Sequence, residues 1–317
     1  MPRLIDTGAD AVADPLELGD LIEMLSTQPF DPEDDESLAA FGPALARLGR
    51  NRRFLGDLVV EELKRNCTGQ TERNHYSAQV ILLHSAPAFA IRANFWPAAA
   101  DSVVVNSGTD PFFYEVPHDH NFSFLTVGYV GPGYWSDYFE YEYDRVTGYP
   151  GEPVSLRFVE RSRLERGKVL LYRKLRDVHS QRPPDALSVS LNVLALSPLA
   201  DFCDQYRFDL ERREVAGLVN TSSLEALVKI AVHLGGEDGL DLAAAFAERH
   251  PSERIRFAAI EAQASVEPDP ARRLALYERA ARRPGLVGAM AAGRARRLAA
   301  ARAIAMPQFA ADPDSPD

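Results

Sequence analysis

Hydrophobic and polar positions change their period twice along this chain. From Pro15 to Asn66 apolar residues recur at helical spacing: Leu16, Leu18, Leu21, Ile22 and Leu25, then Leu38, Phe41, Leu45 and Leu48, then Phe54, Leu55, Leu58, Val59 and Leu63. That spacing predicts three short helices. The acidic loop FDPEDDES separates the first two and offers Asp35 or Ser37 as an N-cap. From about Tyr76 to Pro198 the period falls toward two, over SAQVILLH, AFAIRANFW, SVVV, FFYEVPHDHNFSFLTVG, DYFEYEYD, PVSLRFVE, GKVLLYR and ALSVSLNVLAL. These short runs, punctuated by GPG, TGYPGE and RPPD, predict an antiparallel sandwich or barrel of the jelly-roll kind. Such a barrel has an interior mouth where a small ligand can sit.

Beyond Pro198 the chain turns Ala-, Leu- and Arg-rich, and SSLEALVKIAVHL, DLAAAFAERH, SERIRFAAIEAQA, DPARRLALYERAARR and VGAMAAGRARRLAAARAIA read as helices. Their lengths resemble helical-hairpin repeats of the HEAT type, with an irregular period. The expected organisation is an N-terminal helical segment over 1–75, a β barrel over 76–200 and an all-α region over 201–317, α+β overall. The last region is expected to pack on the barrel, form a homodimer or dock a partner. The Asp- and Pro-rich ends, 1–15 and 307–317, have little to bury and are expected to fray.

A chain of 317 residues can bury one large core or two smaller ones, and its 26% charged residues are ordinary for a soluble protein. The net charge of -11 argues against a sequence-independent grip on nucleic acid or on an anionic membrane, since both need a basic surface. The first residues carry no apolar stretch of a secretory signal, and no apolar run is long enough to span a bilayer. Cys67 and Cys203 are too few for a disulfide framework and lack CxxC spacing, which fits the reducing cytoplasm.

The chemistry of interest lies in PFFYEVPHDHNFSFLTVGYVG, residues 111–131. In a strand His118 and His120 share a face while Asp119 points away. Two imidazoles on one face make half a metal site, and His179, between two predicted strands, is the candidate third ligand. Three imidazoles suit iron, zinc, nickel or copper and leave coordination positions open. His75, His84, His233 and His250 are expected to be structural or solvent-facing. No P-loop, GxGxxG or Ser-centred elbow supports a nucleotide or hydrolase reading.

HxH followed by a Gly-opened strand and a further His resembles the cupin superfamily. The resemblance covers about residues 76–198 and implies a double-stranded β-helix as the core. Many cupins carry a Glu four or five residues after the second His, where this chain has Phe124 and Leu125. Glu140 or Glu142 is the candidate substitute; a three-His site is the simpler reading. Among cupins, three-His iron sites mark thiol dioxygenases such as cysteine dioxygenase, which share the HDH triplet. That family places a carboxylate-binding arginine upstream of the triplet, and Arg92 stands at a similar separation, alternating with Asn94 and Trp96 on one strand face. Its SxHxY strand corresponds to Ser188, Ser190 and Asn192, so the Ser is kept and the His and Tyr are not. The cysteine near the triplet that some members cross-link is absent. Tyr172 and Tyr114 are candidate pocket acids or hydrogen-bond donors, and rings among Tyr134, Trp135, Tyr138, Phe139, Tyr141 and Tyr143 are candidates for the pocket wall.

The resemblance implies a mononuclear non-haem Fe(II) dioxygenase. His118, His120 and His179 would hold the metal, Arg92 would anchor a carboxylate, and Ser188, Ser190 or Asn192 would orient substrate or O2. The substrate would be a small amino-acid-like or thiol-like acid, or a peptide. A Zn- or Ni-dependent isomerase or lyase is the first alternative. A non-catalytic metabolite- or metal-binding barrel coupled to a partner-binding helical region is the second.

Overall fold

The computed structural model describes residues 2–8, 13–74, 76 and 79–305. His75 and the C-terminal stretch from 306 lie outside them, so the expectations for those residues are not addressed. The chain divides into two compact units. One runs to Asn220 apart from Thr147–Tyr149; the other comprises Thr147–Tyr149 and the residues from Thr221 on.

Where the periodicity predicts three helices, the described residues form α1 (Leu18–Thr27), α2 (Asp35–Ala39) and α3 (Gly42–Arg50) in place of the first two, then α4 (Phe54–Lys64), and α5 (Thr68–Arg73) follows beyond the predicted span. The N-cap of α2 is neither Asp35 nor Ser37 but Asp34, whose carboxylate accepts from the Glu36 N–H at 3.0 Å. Ser37 Oγ instead accepts from the Asp31 N–H and pins the acidic loop.

The helices cover a six-stranded antiparallel sheet of order β1 (Arg3–Leu4), β7 (Val169–Tyr172), β4 (Phe124–Val130), β9 (Ser188–Ala195), β3 (Phe89–Trp96) and β2 (Val80–Ser85). Alternation decides what each strand turns where. Ile91 and Ala93 of β3, Leu125 and Val127 of β4, and Leu191 and Val193 of β9 pack with Leu21, Leu38, Leu45 and Leu48 of the helices in one core. The intervening residues, Arg92, Asn94 and Trp96 of β3 with Ser190 and Asn192 of β9, therefore face the opposite way. Leu191 is wholly buried in the helix-facing core. Leu191→Ala should cost about 2–5 kcal/mol, read as a lowered midpoint in urea with an unchanged slope.

The facing sheet joins β6 (Arg157–Arg163), β5 (Trp135–Glu140) and β8 (Asp177–Gln181). It continues through single bridges from His118 to His179 and to Arg207, then into the hairpin of β10 (Tyr206–Asp209) and β11 (Glu214–Leu218). A second core of Trp96, Phe124, Tyr134, Tyr138, Leu170 and Tyr172 fills the space between the sheets. The result is an α+β fold with a jelly-roll core of two facing antiparallel sheets, as the sequence predicts.

Three local expectations change. Residues 102–105, SVVV, are not a strand but open α6 (Ser102–Ser107), where Asp101 precedes the first turn and Val104 alone is buried. The segment around His118 is an irregular connection stitched in by single bridges, because Phe113 and Glu115 take positive φ values of 55° and 58° that break a strand. The β10–β11 hairpin occupies part of the span assigned to helices, so the barrel's unit ends at Asn220 rather than at 200, and the N-terminal helices pack on its sheet.

The second unit contains α7 (Leu224–Leu234), α8 (Gly236–Arg249), α9 (Glu253–Val266), α10 (Pro270–Ala280) and α11 (Gly285–Ala305), in the order the sequence predicts. Its core is built largely from small residues, among them Ala243, Ala247, Ala259, Ala262 and Ala291, around Val228, Val232 and Phe257. No helix among the described residues is long and apolar enough to cross a membrane.

Candidate metal centre

Two backbone restraints bring the three histidines to the space between the sheets. The His118 peptide exchanges two hydrogen bonds with His179 of β8, N to O at 3.0 Å in both directions. His120 is fixed by its own carbonyl, which accepts from the Leu175 N–H at 2.7 Å. Asp119 points the other way, as period two requires: its carboxylate accepts from the Tyr141 hydroxyl and the Tyr206 N–H, both at 2.6 Å. Burial pushes that carboxyl up to about 7, with the two donors working against the shift.

The three rings gather in one place, their candidate ligand nitrogens all within 4.8 Å of one another. His179 Nε2 lies 3.1 Å from His120 Nε2 and 3.1 Å from His118 Nε2. A cation about 2.1 Å from each nitrogen would space two imidazoles by about 3.0 Å at right angles and about 3.4 Å in a tetrahedron. Both contacts of His179 fall between these values, while the His118–His120 pair is held within the wider span of 4.8 Å. The outer nitrogens are also provided for. His118 Nδ1 is 2.8 Å from the Val116 carbonyl, which can only accept, so Nδ1 carries the proton and Nε2 presents its lone pair inward. The Gln205 amide sits 3.1 Å from His120 Nδ1, and the Gln181 amide 3.4 Å from His179 Nδ1. The Gln205 amide can turn its oxygen to the His120 ring N–H, whereas the Gln181 nitrogen lies beside the His179 ring, 3.3 Å from its Nε2. Partners of this kind on the outer nitrogen orient metal-binding imidazoles.

Electrostatics keep the rings neutral. Burial brings His118 down to about 4, against the opposing Val116 hydrogen bond. Burial also holds His120 well below the usual range, helped by His118, His179 and Arg92, and His179 likewise, helped by His118. Neutral imidazoles at physiological pH are the form that binds a metal. The site thus fits a divalent cation held by His118, His120 and His179. If it does so, Gln205→Leu should weaken metal binding about 10–100-fold, checked by chelator competition.

The rings open into a cavity of about 260 Å³. Of the sequence candidates, Arg92 and Asn192 line it; Ser188, Ser190 and Tyr172 do not. Ser188 Oγ accepts from the Gly133 N–H at 3.0 Å and donates to the Ala186 carbonyl, so it secures the GPG turn. That turn needs its glycines, since Gly131 and Gly133 both have φ of +81° and a Cβ on Gly133 would meet the Leu164 carbonyl at 1.9 Å. Ser190 accepts from Trp96 Nε1 at 3.0 Å. Tyr172 stacks on Phe124 at 4.4 Å, shares a 2.9 Å hydrogen bond with the Tyr138 hydroxyl and meets the His179 ring edge-on at 4.8 Å. It supports His179 from behind. Tyr114 donates to the Pro97 carbonyl at 2.7 Å and is likewise outside the cavity.

No fourth ligand joins the cluster among the described residues. Glu140 is taken by Arg157 and Arg173, and Glu142 pairs with Arg145. Phe124, at one of the positions where many cupins carry Glu, lies 5.0 Å edge-on from the His120 ring. His84 stacks on Phe89, His233 bonds Ser265 and His250 accepts from the Ser252 N–H, all away from the centre.

Arg92 is the other charged group of the cavity. Its guanidinium sits 4.8 Å from the centre of the Tyr76 ring, and its Nε is buried without a hydrogen-bond partner. Sequence reasoning did not single out Gln181, Gln205 or Tyr76. The signal for Gln181 was present, two residues after His179 on the same strand face; Gln205 comes from the unforeseen hairpin.

No family model and no curated protein matches this chain. Among solved structures it is similar to a hydroquinone 1,2-dioxygenase in complex with Cd2+ and 4-hydroxybenzonitrile, at 10% identity and TM-score 0.25, covering 41% of this chain and 71% of that one. It is similar to a cupin domain from Bordetella pertussis at 10% identity and TM-score 0.22, covering 38% and 96%. It is similar to a DMSP lyase from Ruegeria pomeroyi at 11% identity and TM-score 0.24, covering 62% and 78%. Likeness at that level carries no functional argument. The fold stands on the strand order above, and the function on the site.

Proposed function

We propose that the protein is a metal-dependent enzyme that binds Fe(II) through His118, His120 and His179 and oxygenates a small carboxylate-bearing substrate. One observation carries this reading: three neutral imidazoles converge in a buried cavity whose only other formal charge, among the described lining residues, is an arginine without a carboxylate. When bound, the metal supplies a Lewis-acid, redox-active centre with positions left open for substrate and O2.

The chain's own residues do the rest. Arg92 offers a fixed donor fork to a planar anion, a geometry suited to a carboxylate. Asn192, tied to Asn94 by a 3.0 Å hydrogen bond, presents a positioned amide opposite β4. Phe113, Phe122 and Phe124 give an apolar wall that limits water around the bound substrate. At about 260 Å³ the cavity lies just below the usual range of small-molecule sites, about 300–1,000 Å³, so a free small acid suits it better than a peptide. The described lining has no carboxylate, lysine or thiol, and burial holds the Tyr134 hydroxyl well above its usual range. A reaction that needs no protein nucleophile or strong base asks least of these residues.

The test is oxygen uptake by protein reconstituted anaerobically with Fe(II), screened against small carboxylic acids. Uptake that depends on both substrate and iron supports the proposal. Turnover at an equal rate without oxygen would move the protein to a lyase or isomerase with zinc or nickel; metal binding with no turnover of any acid would leave a binding protein.

A further inference from the structure

Resting on that reading of the cavity, we infer that its substrate is a carboxylic acid without an ammonium group, a hydroxy or oxo acid, and that amino acids of the same shape are rejected. The chain carries a net charge of -11, yet none of its Asp or Glu residues is among the described residues that line this cavity. The closest acid in sequence, Asp119, faces away and is already engaged by Tyr141 and Tyr206. A bound divalent metal and Arg92 would place three formal positive charges in a small, largely apolar space. A carboxylate relieves that charge and completes the Arg92 donor set, whose Nε–H has no partner. An α-ammonium adds a fourth positive charge with no counter-ion, and burying an unpaired ion costs several kcal/mol.

The neutral polar groups point the same way. Gln181 Oε1 is buried without a hydrogen-bond partner beside the ring of His179. A single free amide oxygen suits one O–H donor, whereas an ammonium has three N–H donors to satisfy. Asn94 Oδ1 already accepts from Asn192, and the face of Tyr76 is already occupied by Arg92. Trp96 packs against Tyr134 with ring centres 4.2 Å apart, and Phe124 stacks on Tyr172 at 4.4 Å, so these rings too are engaged on one face. A hydroxyl at the α position meets the Gln181 acceptor, and its oxidised oxo form would suit an open metal position, in neither case bringing charge.

Three matched probes separate the terms: mandelate, with carboxylate and hydroxyl; phenylglycine, with an ammonium in place of the hydroxyl; and mandelamide, without the carboxylate. Titration calorimetry on zinc-loaded wild-type protein should show mandelate binding at least about tenfold tighter than either of the others, a difference of about 1.4 kcal/mol. Arg92→Met should bring mandelate down to the level of mandelamide. The comparison within the wild type stands even if that variant folds poorly. Phenylglycine binding as tightly as mandelate, or no binding of any of the three, would overturn the inference. Zinc content measured on the same samples separates the two readings: mandelate selectivity in protein that takes up no zinc keeps the inference and removes the metal, whereas zinc uptake with preference for phenylglycine removes the inference alone.

Discussion

His179→Ala should lower affinity for a divalent metal by about two to three orders of magnitude while leaving the fold in place. Zinc held by four protein ligands in small domains is worth about 10–16 kcal/mol, or about 2.5–4 kcal/mol per ligand. His179 is the ligand whose Nε2 contacts both of the others, so its loss leaves His118 and His120 without the nitrogen that joins them. The backbone of β8 does not depend on that imidazole, being held by β5 through the Tyr138–His179 pairing and by the two hydrogen bonds to His118. Chelator competition with zinc and cobalt gives the affinity, and the rise in melting temperature on adding metal gives an independent readout. A core histidine without a metal role predicts the reverse pattern, with stability lowered by about 1–3 kcal/mol and the response to metal unchanged.

Metal-free protein should lose stability as pH falls from 7 to 5. The three histidines have folded-state pKa values below the unfolded value of 6.5. Between those values the unfolded chain binds protons that the folded chain does not, so their contribution is present above about 6.5 and is lost below it. His118, held near 4, accounts for about 2 kcal/mol at pH 5. Asp119 acts oppositely, because its folded value of about 7 lies above the unfolded 3.8; it protonates first in the folded state and adds about 2 kcal/mol over the same interval. These two nearly cancel. The sign is therefore set by His120 and His179, each adding a slope of up to about 1.4 kcal/mol per pH unit. Urea unfolding at pH 7, 6 and 5 measures it, and Asp119→Asn should steepen the fall by removing the offset. A stability that rises toward pH 5 would mean that the imidazoles are protonated in the folded state and poorly suited to a cation.

Periodicity carried most of the fold because each element is amphipathic by a simple rule. β3 and β9 alternate apolar and polar residues, so the side on which Arg92, Asn94 and Asn192 lie follows from which residues must meet the helices. The helices of the second unit were equally legible, each marked by Ala and Leu runs between Gly or Pro. The SVVV segment misled because β-branched residues favour strands only where a neighbouring strand packs on them; Val103 and Val105 are exposed on α6. The β10–β11 hairpin alternates as YRFD and EVAGL, a signal masked by the helical stretch that follows.

The histidine triad was legible because HxH needs only period two, and His179 then falls opposite it in the second sheet. Roles assigned to Ser188, Ser190 and Tyr172 were not settled by sequence, since a side chain facing inward can spend its hydrogen bonds on the scaffold. Ser188 holds a turn, Ser190 holds Trp96 and Tyr172 braces His179. The supporting amides were hidden because they depend on tertiary pairing. Gln205 reaches His120 across 85 residues of chain.

The metal content of protein purified anaerobically, wild type beside His118→Ala, tests the central claim most directly. The account predicts about one divalent metal ion per wild-type chain, with iron the ion that supports oxygen uptake, and little or none in the variant. Equal metal in both proteins, or none in a wild type that also fails to take up added Fe(II), Zn(II) or Ni(II), would contradict it.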